Sequence, residues 1–306
     1  LLLVRATQSV QQGEHALKRL LLMLTTAALL TLFGCTNTAV NLPAVTTQNT
    51  GATLPGKVIW HDLVSEDPAA AKRFYGQLFG WTFTPLPGGK YSLIMHRGTA
   101  IGGLVDAGLF KQKQNVSQWV VVLSVGDVAS AVAKVKQSGG TVLGGPTDMG
   151  DRGTLAVVKD PQGATVALLQ TRDGDPVDRE AANGEFMWHE LWTSQPAKAT
   201  EFYQQVASYT AGQHAMADGG NYKYLQAQGH PRAAIIANPM PGLDPTWVAY
   251  VKVADTDAIT AQVEQLGGKI LLPSQTNKVG GELAIIADPS GAGLVIQTWN
   301  NSKQEL

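Results

Sequence analysis

Apolar and polar residues alternate over Val58–Val64, in a run rich in Val, Ile, Leu and Trp, which predicts a half-buried strand. Asp67-Pro68 follows, a helix N-cap residue and a proline at the first helical position. Ala71, Phe74, Tyr75, Leu78 and Phe79 then recur at the spacing of one helix face, and Gly80 closes the helix. Strand-forming runs come at Trp81–Leu86, Tyr91–Arg97 and Ile101–Asp106, separated by Pro-Gly-Gly and Gly-Thr turns. The order is βαβββ. It returns at once: a strand at Trp119–Val125, a helix capped by Asp127 with Val128, Ala131, Val132 and Val135 on one face, a stop at Gly139-Gly140, and strands near Thr141–Leu143, Thr154–Lys159 and Thr165–Gln170.

The whole double unit then repeats. Trp60-His61-Asp62-Leu63 returns as Trp188-His189-Glu190-Leu191, Phe74-Tyr75 as Phe202-Tyr203, Trp119 as Trp247, Asp127 as Asp255, and Gly139-Gly140 as Gly267-Gly268. Gly153 to Asp160-Pro161 returns as Gly281 to Asp288-Pro289. Every pair keeps one offset, so the chain is an internal duplication. The fold class is α+β: four βαβββ modules in two tandem domains, 57–172 and 185–299, joined by a linker at 173–184 and followed by a tail at 300–306. One module curls a sheet with a helix on its back, and two must pair to close a barrel-like sheet around a cavity. Pairing within the chain and across a dimer both remain open.

Composition narrows the class. The chain has 306 residues, 44% hydrophobic and 15% charged, with a net charge of -1. That is globular, and without a basic stripe nucleic acid is not an expected partner. The single cysteine, Cys35, excludes an internal disulfide. Lys18-Arg19, the apolar run Leu20–Phe33 and Gly34 read as a secretory signal, too short for a membrane span. Residues 1–16 read as an upstream extension of that signal, 1–34 in all, with no structural role. Leu32-Phe33-Gly34-Cys35 resembles the bacterial lipoprotein signal, which implies lipidation of Cys35 and a membrane anchor; a plain secretory signal is the alternative. The expected location is the cell envelope, and with Thr36 after the cysteine, the outer membrane facing the periplasm if the cell is Gram-negative. Residues 35–56 carry Thr, Asn, Ala, Gly and Pro without periodicity and read as a flexible tether.

Phe74-Tyr75-x-x-Leu78-Phe79-Gly80-Trp81, Asp160-Pro-Gln-Gly-Ala164 and Asp288-Pro-Ser-Gly-Ala292 resemble the vicinal oxygen chelate superfamily, which includes glyoxalase I, bleomycin-resistance proteins and extradiol dioxygenases. The likeness covers nearly all of both domains and bears on fold more than on chemistry. Metal enzymes of that superfamily hold a divalent ion inside each sheet. The resemblance puts their first-strand ligands seven residues before the helix-capping position, at Trp60, Val120, Trp188 and Val248, and their last-strand glutamates at Ala167 and Val295. Asp106 is nearest to the fourth-strand carboxylate. Indole and aliphatic side chains cannot ligate a metal that needs three or four N, O or S donors. No metal ligand is therefore assigned and no cofactor is expected, although a divalent ion bound elsewhere stays open. His61 and His189 each lie one residue from a ligand position, so by strand parity they face the helices.

The same parity turns Trp60 with Asp62, and Trp188 with Glu190, into the cavity of each domain. Aromatic walls with a few fixed polar groups make a small-molecule site, and a carboxylate beside an indole suits a cationic or aromatic ligand. The tryptophans could equally plug the barrel. Trp119 and Trp247 have the opposite parity and belong to the core. Tyr91, Tyr222 and Tyr224 lie on middle strands whose facing the pattern leaves open, and His96, His214 and His230 form no constellation. There is no nucleophile elbow, phosphate loop or dinucleotide fingerprint. Three functions fit: metal-free binding of a small aromatic or cationic molecule at Trp60, Asp62, Trp188 and Glu190; a glyoxalase-related lyase with a non-standard site, either an unusual metal site or Asp62 and Glu190 as catalytic acid–base groups; and a scaffold for a protein partner.

Overall fold

The computed structural model describes residues 41–110, 115–215 and 220–299. The signal segment, Cys35 and the tail at 300–306 lie outside them.

The first domain runs β1 (Val58–Ser65), α1 (Pro68–Phe79), β2 (Thr82–Pro85), β3 (Tyr91–His96), β4 (Thr99–Asp106), β5 (Gln118–Ser124), α2 (Val128–Gln137), β6 (Thr141–Asp148), β7 (Gly153–Lys159) and β8 (Thr165–Thr171). The second repeats it: β9 (Phe186–Thr193), α3 (Pro196–Ala207), β10 (Thr210–Ala215), β11 (Asn221–Ala227), β12 (His230–Ala237), β13 (Thr246–Lys252), α4 (Thr256–Val263), β14 (Lys269–Thr276), β15 (Glu282–Ala287) and β16 (Gly293–Gln297). The expected helix signals operate as read. Asp67 Oδ1 accepts from Ala70 N at 2.9 Å and Asp127 Oδ1 from Ser130 N at 2.7 Å. Gly80 ends α1 in the left-handed region, where a Cβ would be strained. One strand is longer than expected: β6 continues through Gly144-Gly145-Pro146 by register shifts against β7.

The modules pair within the chain. The first sheet is ordered β2-β3-β4-β1-β5-β8-β7-β6 and the second β10-β11-β12-β9-β13-β16-β15-β14. At each centre the two first strands of the paired modules run antiparallel, with Asp62 opposite Val120 and Glu190 opposite Val248.

The helix sides of the two domains meet, and the duplicated motifs build that interface. One apolar cluster joins Val121, Val132 and Val135 to Phe202, Val206 and Trp247; another joins Phe74, Tyr75 and Leu78 to Val263, Ile286 and Leu294. Each helix therefore buries its apolar face partly on the other domain. Tyr203 of α3 donates to Asp160 of the first domain at 3.3 Å and accepts from Trp247 Nε1 at 2.8 Å. Tyr75 accepts likewise from Trp119 Nε1 at 3.1 Å and faces Asp288 of the second domain. Phe74 and Phe202 lie over Gly268 and Gly140 of the opposite domain, where a side chain would collide with the ring. His61 and His189 meet on the same interface, Nε2 to Nε2 at 2.7 Å, both buried, with Phe186 stacked on His61. One ring donates to the other, so the shared contact needs at least one neutral ring.

Residues 41–56, expected as a flexible tether, are instead laid along the first domain. Leu42 N donates to Met149 O and Leu42 O accepts from Arg152 N, both at 2.9 Å, and Leu42 and Val45 are buried in the first sheet's concave core. Two apolar side chains and a short backbone pairing suffice to dock the segment, and neither leaves a periodic trace in sequence.

Candidate functional site

The concave faces of the two sheets form two cups, and the first strand of each supplies the indole–carboxylate pair that parity expected. In the first cup, Trp60 Nε1 donates to Asp62 Oδ1 at 3.1 Å and to Tyr91 OH at 3.0 Å, and Tyr91 OH donates to Asp62 Oδ1 at 2.7 Å. In the second, Trp188 Nε1 donates to Tyr222 OH at 2.8 Å, and Tyr222 OH donates to Glu190 Oε1 at 2.7 Å. Tyr91 on β3 and Tyr222 on β11 thus play one role in the two domains.

Beyond that shared trio the cups diverge. Arg152, from the turn between β6 and β7, enters the first cup and is 1% exposed. Its guanidinium carbon lies 4.1 Å from the Trp60 ring centroid. Nη1 donates to Tyr91 OH at 3.1 Å and Nε to Pro43 O at 2.9 Å. Burial pushes the Asp62 carboxyl above the usual carboxylate range, against the opposing pull of the Arg152 charge and the Tyr91 and Trp60 hydrogen bonds. Leu42, Val45, Val120, Leu155 and Ala167 complete the filling. Trp60, expected to bind a ligand, is covered by the chain's own arginine and N-terminal segment, while Asp62, expected with it, keeps part of its surface exposed.

Among the described residues the second cup has no such filling. The position one repeat after Arg152 is Gly280. A cavity of about 710 Å³ opens there, lined by Trp188, Glu190, Tyr222, Tyr250, Phe186 and Trp299 among others. That volume lies within the range of small-molecule sites, about 300–1,000 Å³. Glu190 is 6% exposed and takes three neutral donors: Tyr222 on Oε1, and Tyr250 OH at 2.5 Å and Trp192 Nε1 at 2.9 Å on Oε2. A carboxylate has about four acceptor positions, so roughly one remains. Burial beside Glu190 raises the Tyr222 and Tyr250 hydroxyls far above the ordinary tyrosine range, so both stay protonated donors. At the rim Arg179 pairs with Glu185 at 2.6 Å and Lys252 with Glu180 at 2.9 Å.

At the positions that the family resemblance marks for metal ligands, both cups carry indole or aliphatic side chains. Val120 lies opposite Asp62 and Ala167 beside Val122; Val248 lies opposite Glu190 and Val295 beside Tyr250. Asp106 ends β4 with Oδ2 on Lys90 at 2.7 Å and Oδ1 on Gly108 N at 2.8 Å. Among the described residues no three His, Cys, Asp or Glu side chains are grouped to hold a metal. The donor set does not fit a divalent ion.

Three contributors escaped the sequence reading. Trp192 and Tyr250 share strand faces with Glu190 and Val248, so parity could have found them. Arg152 sits in a turn with no periodic signal. Tyr224 lies over Gly212 and outside the cavity lining, and His96 is buried against Asn183 O at 3.0 Å.

A family model described as the glyoxalase/bleomycin resistance protein/dioxygenase superfamily matches residues 57–168. Over 237 residues the chain is 33% identical to CFP32 of Mycobacterium bovis, named there as a candidate glyoxylase; the match spans 76% of this chain and 91% of that protein. It is 29% identical over 266 residues to the anthracycline biosynthesis protein DnrV of Streptomyces peucetius, spanning 79% and 93% of the two. In three dimensions it is similar to the Mn(II)-bound glyoxalase from Novosphingobium aromaticivorans, with a TM-score of 0.55, 14% identity, and 80% and 83% of the chains covered. At that identity the structural likeness concerns the fold alone.

Proposed function

The chain belongs to the glyoxalase/bleomycin resistance protein/dioxygenase superfamily, and from that premise we propose that it binds a small aromatic molecule in the second-domain cavity without a metal ion. The observation that carries this reading is the difference between the cups: the same Trp–Tyr–carboxylate trio is filled by Arg152 and Leu42 in one domain and lines a cavity of about 710 Å³ in the other. Indole and valine at the family's ligand positions support binding without metal. Trp188, Tyr222, Tyr250 and Phe186 offer aromatic surface, and Glu190 offers one remaining acceptor. A relative named for anthracycline biosynthesis fits an aromatic ligand. Under this proposal the first domain is a closed structural partner.

The test is a thermal-shift screen of aromatic compounds in chelator, repeated on Trp188→Ala. Hits that stabilise the parent protein and lose their effect in the variant support the reading. A screen without hits, or hits that need added metal, contradicts it.

The proposal extends to location: a lipid on Cys35 would hold the domains at the outer side of a membrane. Incorporation of labelled palmitate that disappears in Cys35→Ala is the expected result, and a soluble unlabelled product would refute it. One observation favours a second reading, a glyoxalase-type lyase: the relative CFP32 carries that name. Stoichiometric tightly held metal together with turnover lost in Glu190→Gln would support it.

A further inference from the structure

The first domain holds, in its own arginine, a pattern for a ligand of the second domain. We propose that the second-domain cavity is a receptor for an organic cation with a flat charged group, such as an amidinium or guanidinium, stacked on Trp188 with its charge facing Glu190. This rests on the reading of that cavity as a ligand site and names its ligand class.

The duplication places equivalent groups in the two cups. In both cups a third-strand tyrosine accepts from the first-strand indole and donates to the first-strand carboxylate, with the same 2.7 Å bond to the carboxylate. In the first cup this trio carries a flat cation over it. The Arg152 guanidinium lies on the Trp60 ring, donates to the Tyr91 hydroxyl, and opposes the Asp62 charge. Stacking on an indole and facing a carboxylate are the two interactions that favour such a group away from water. In the second cup the trio is intact and no described residue lays a cation over it; Gly280 stands one repeat after Arg152.

The charges around the cavity favour the same ligand. The other charged groups among the described lining residues are paired, Arg179 with Glu185 and Lys252 with Glu180. The three described side chains that bond Glu190 are neutral. A buried carboxylate whose described donors are all neutral, with about one acceptor position beyond them, on the wall of an open cavity, is complementary to a cation entering from solvent. The cavity is far larger than one guanidinium, so the charged group would be the head of a larger aromatic molecule.

The experiment is calorimetric titration of the whole chain in chelator with benzamidine, and with benzamide, its neutral near-isostere. Benzamidine is expected to bind one per chain, at least tenfold tighter than benzamide, with Glu190→Gln erasing the difference. The comparison of the two probes on the unaltered protein stands even if that variant fails to fold. Equal binding of the two probes overturns the cation preference and leaves the cavity reading intact. Failure of benzamidine to bind while aromatic compounds still shift the melting temperature through Trp188 also overturns it and spares the cavity reading. Failure of benzamidine together with an empty aromatic screen removes both.

Discussion

Replacing Arg152 by Met keeps most of the side chain's volume and removes its charge. The guanidinium is almost wholly enclosed, and the Tyr91 hydroxyl links it to Asp62. Breaking a buried charge pair from one side costs about 3–5 kcal/mol. Asp62 keeps part of its surface in contact with solvent and retains Trp60 and Tyr91 as donors, so the loss belongs at the low end, about 3 kcal/mol. For a chain of this size that corresponds to a fall of about 6–12 °C in melting temperature. The sign with pH follows from Asp62. Its folded pKa is already raised by burial, so its charged form works against folding, and the penalty appears as pH rises through the folded pKa. Without Arg152 the pKa rises further and the penalty grows. Arg152→Met should therefore lose most stability at pH 7–8 and recover part of it toward pH 4–5. In an Asp62→Asn background the same change should cost at least ~1 kcal/mol less. Urea unfolding of the four proteins across pH measures both effects, and other titrating groups cancel in the differences. A loss that is independent of pH and additive with Asp62→Asn would refute the charge linkage and leave Arg152 as mere filling.

Other expectations follow from the interface between the domains. Burial holds His189 down at about 3 and His61 well below its ordinary value, and the charge of His189 lowers His61 further. A histidine depressed in the folded state adds stability that is complete above its unfolded pKa near 6.5 and lost as pH falls toward the folded value. Denaturation should thus show a loss of about 1.4 kcal/mol per pH unit from His189 between pH 6 and pH 4, removed in His189→Gln if that variant folds. A flat profile would contradict the burial of both rings. Gly268→Ala would drive a methyl into the Phe74 ring and to 2.6 Å from Ala287 O, whereas Gly140→Ala meets Phe202 at 3.0 Å and Lys159 O at 2.8 Å. Overpacking of this kind costs about 1–3 kcal/mol, so both variants should melt lower and Gly268→Ala by more. Equal or reversed losses would mean that the two halves of the interface pack differently from this account.

Much of the fold was legible because its signals are local and repeated. The strand alternation, the Asp67 and Asp127 caps, the Gly80 stop and the constant repeat offset each act over a few residues, and the facing of Trp60, Asp62, Trp188 and Glu190 followed from parity alone. The partners of the repeated motifs were not legible. Tyr203 and Asp160, or Phe74 and Gly268, are far apart in sequence and meet only because each helix packs on the other domain. Composition also misread residues 41–56, since Leu42 and Val45 bury themselves without any periodicity. The asymmetry of the site rests on one turn residue, Arg152 against Gly280, and a single side chain in a turn leaves no pattern. Its consequence appears only when the two cups are compared side by side.

The central claim, one metal-free ligand cavity per chain, is tested most directly by native mass spectrometry of the folded protein with a compound that raises its melting temperature. The account predicts a single added ligand mass on the metal-free chain, absent in Trp188→Ala. Two ligands per chain, or a ligand mass seen only together with a bound divalent ion, would contradict it.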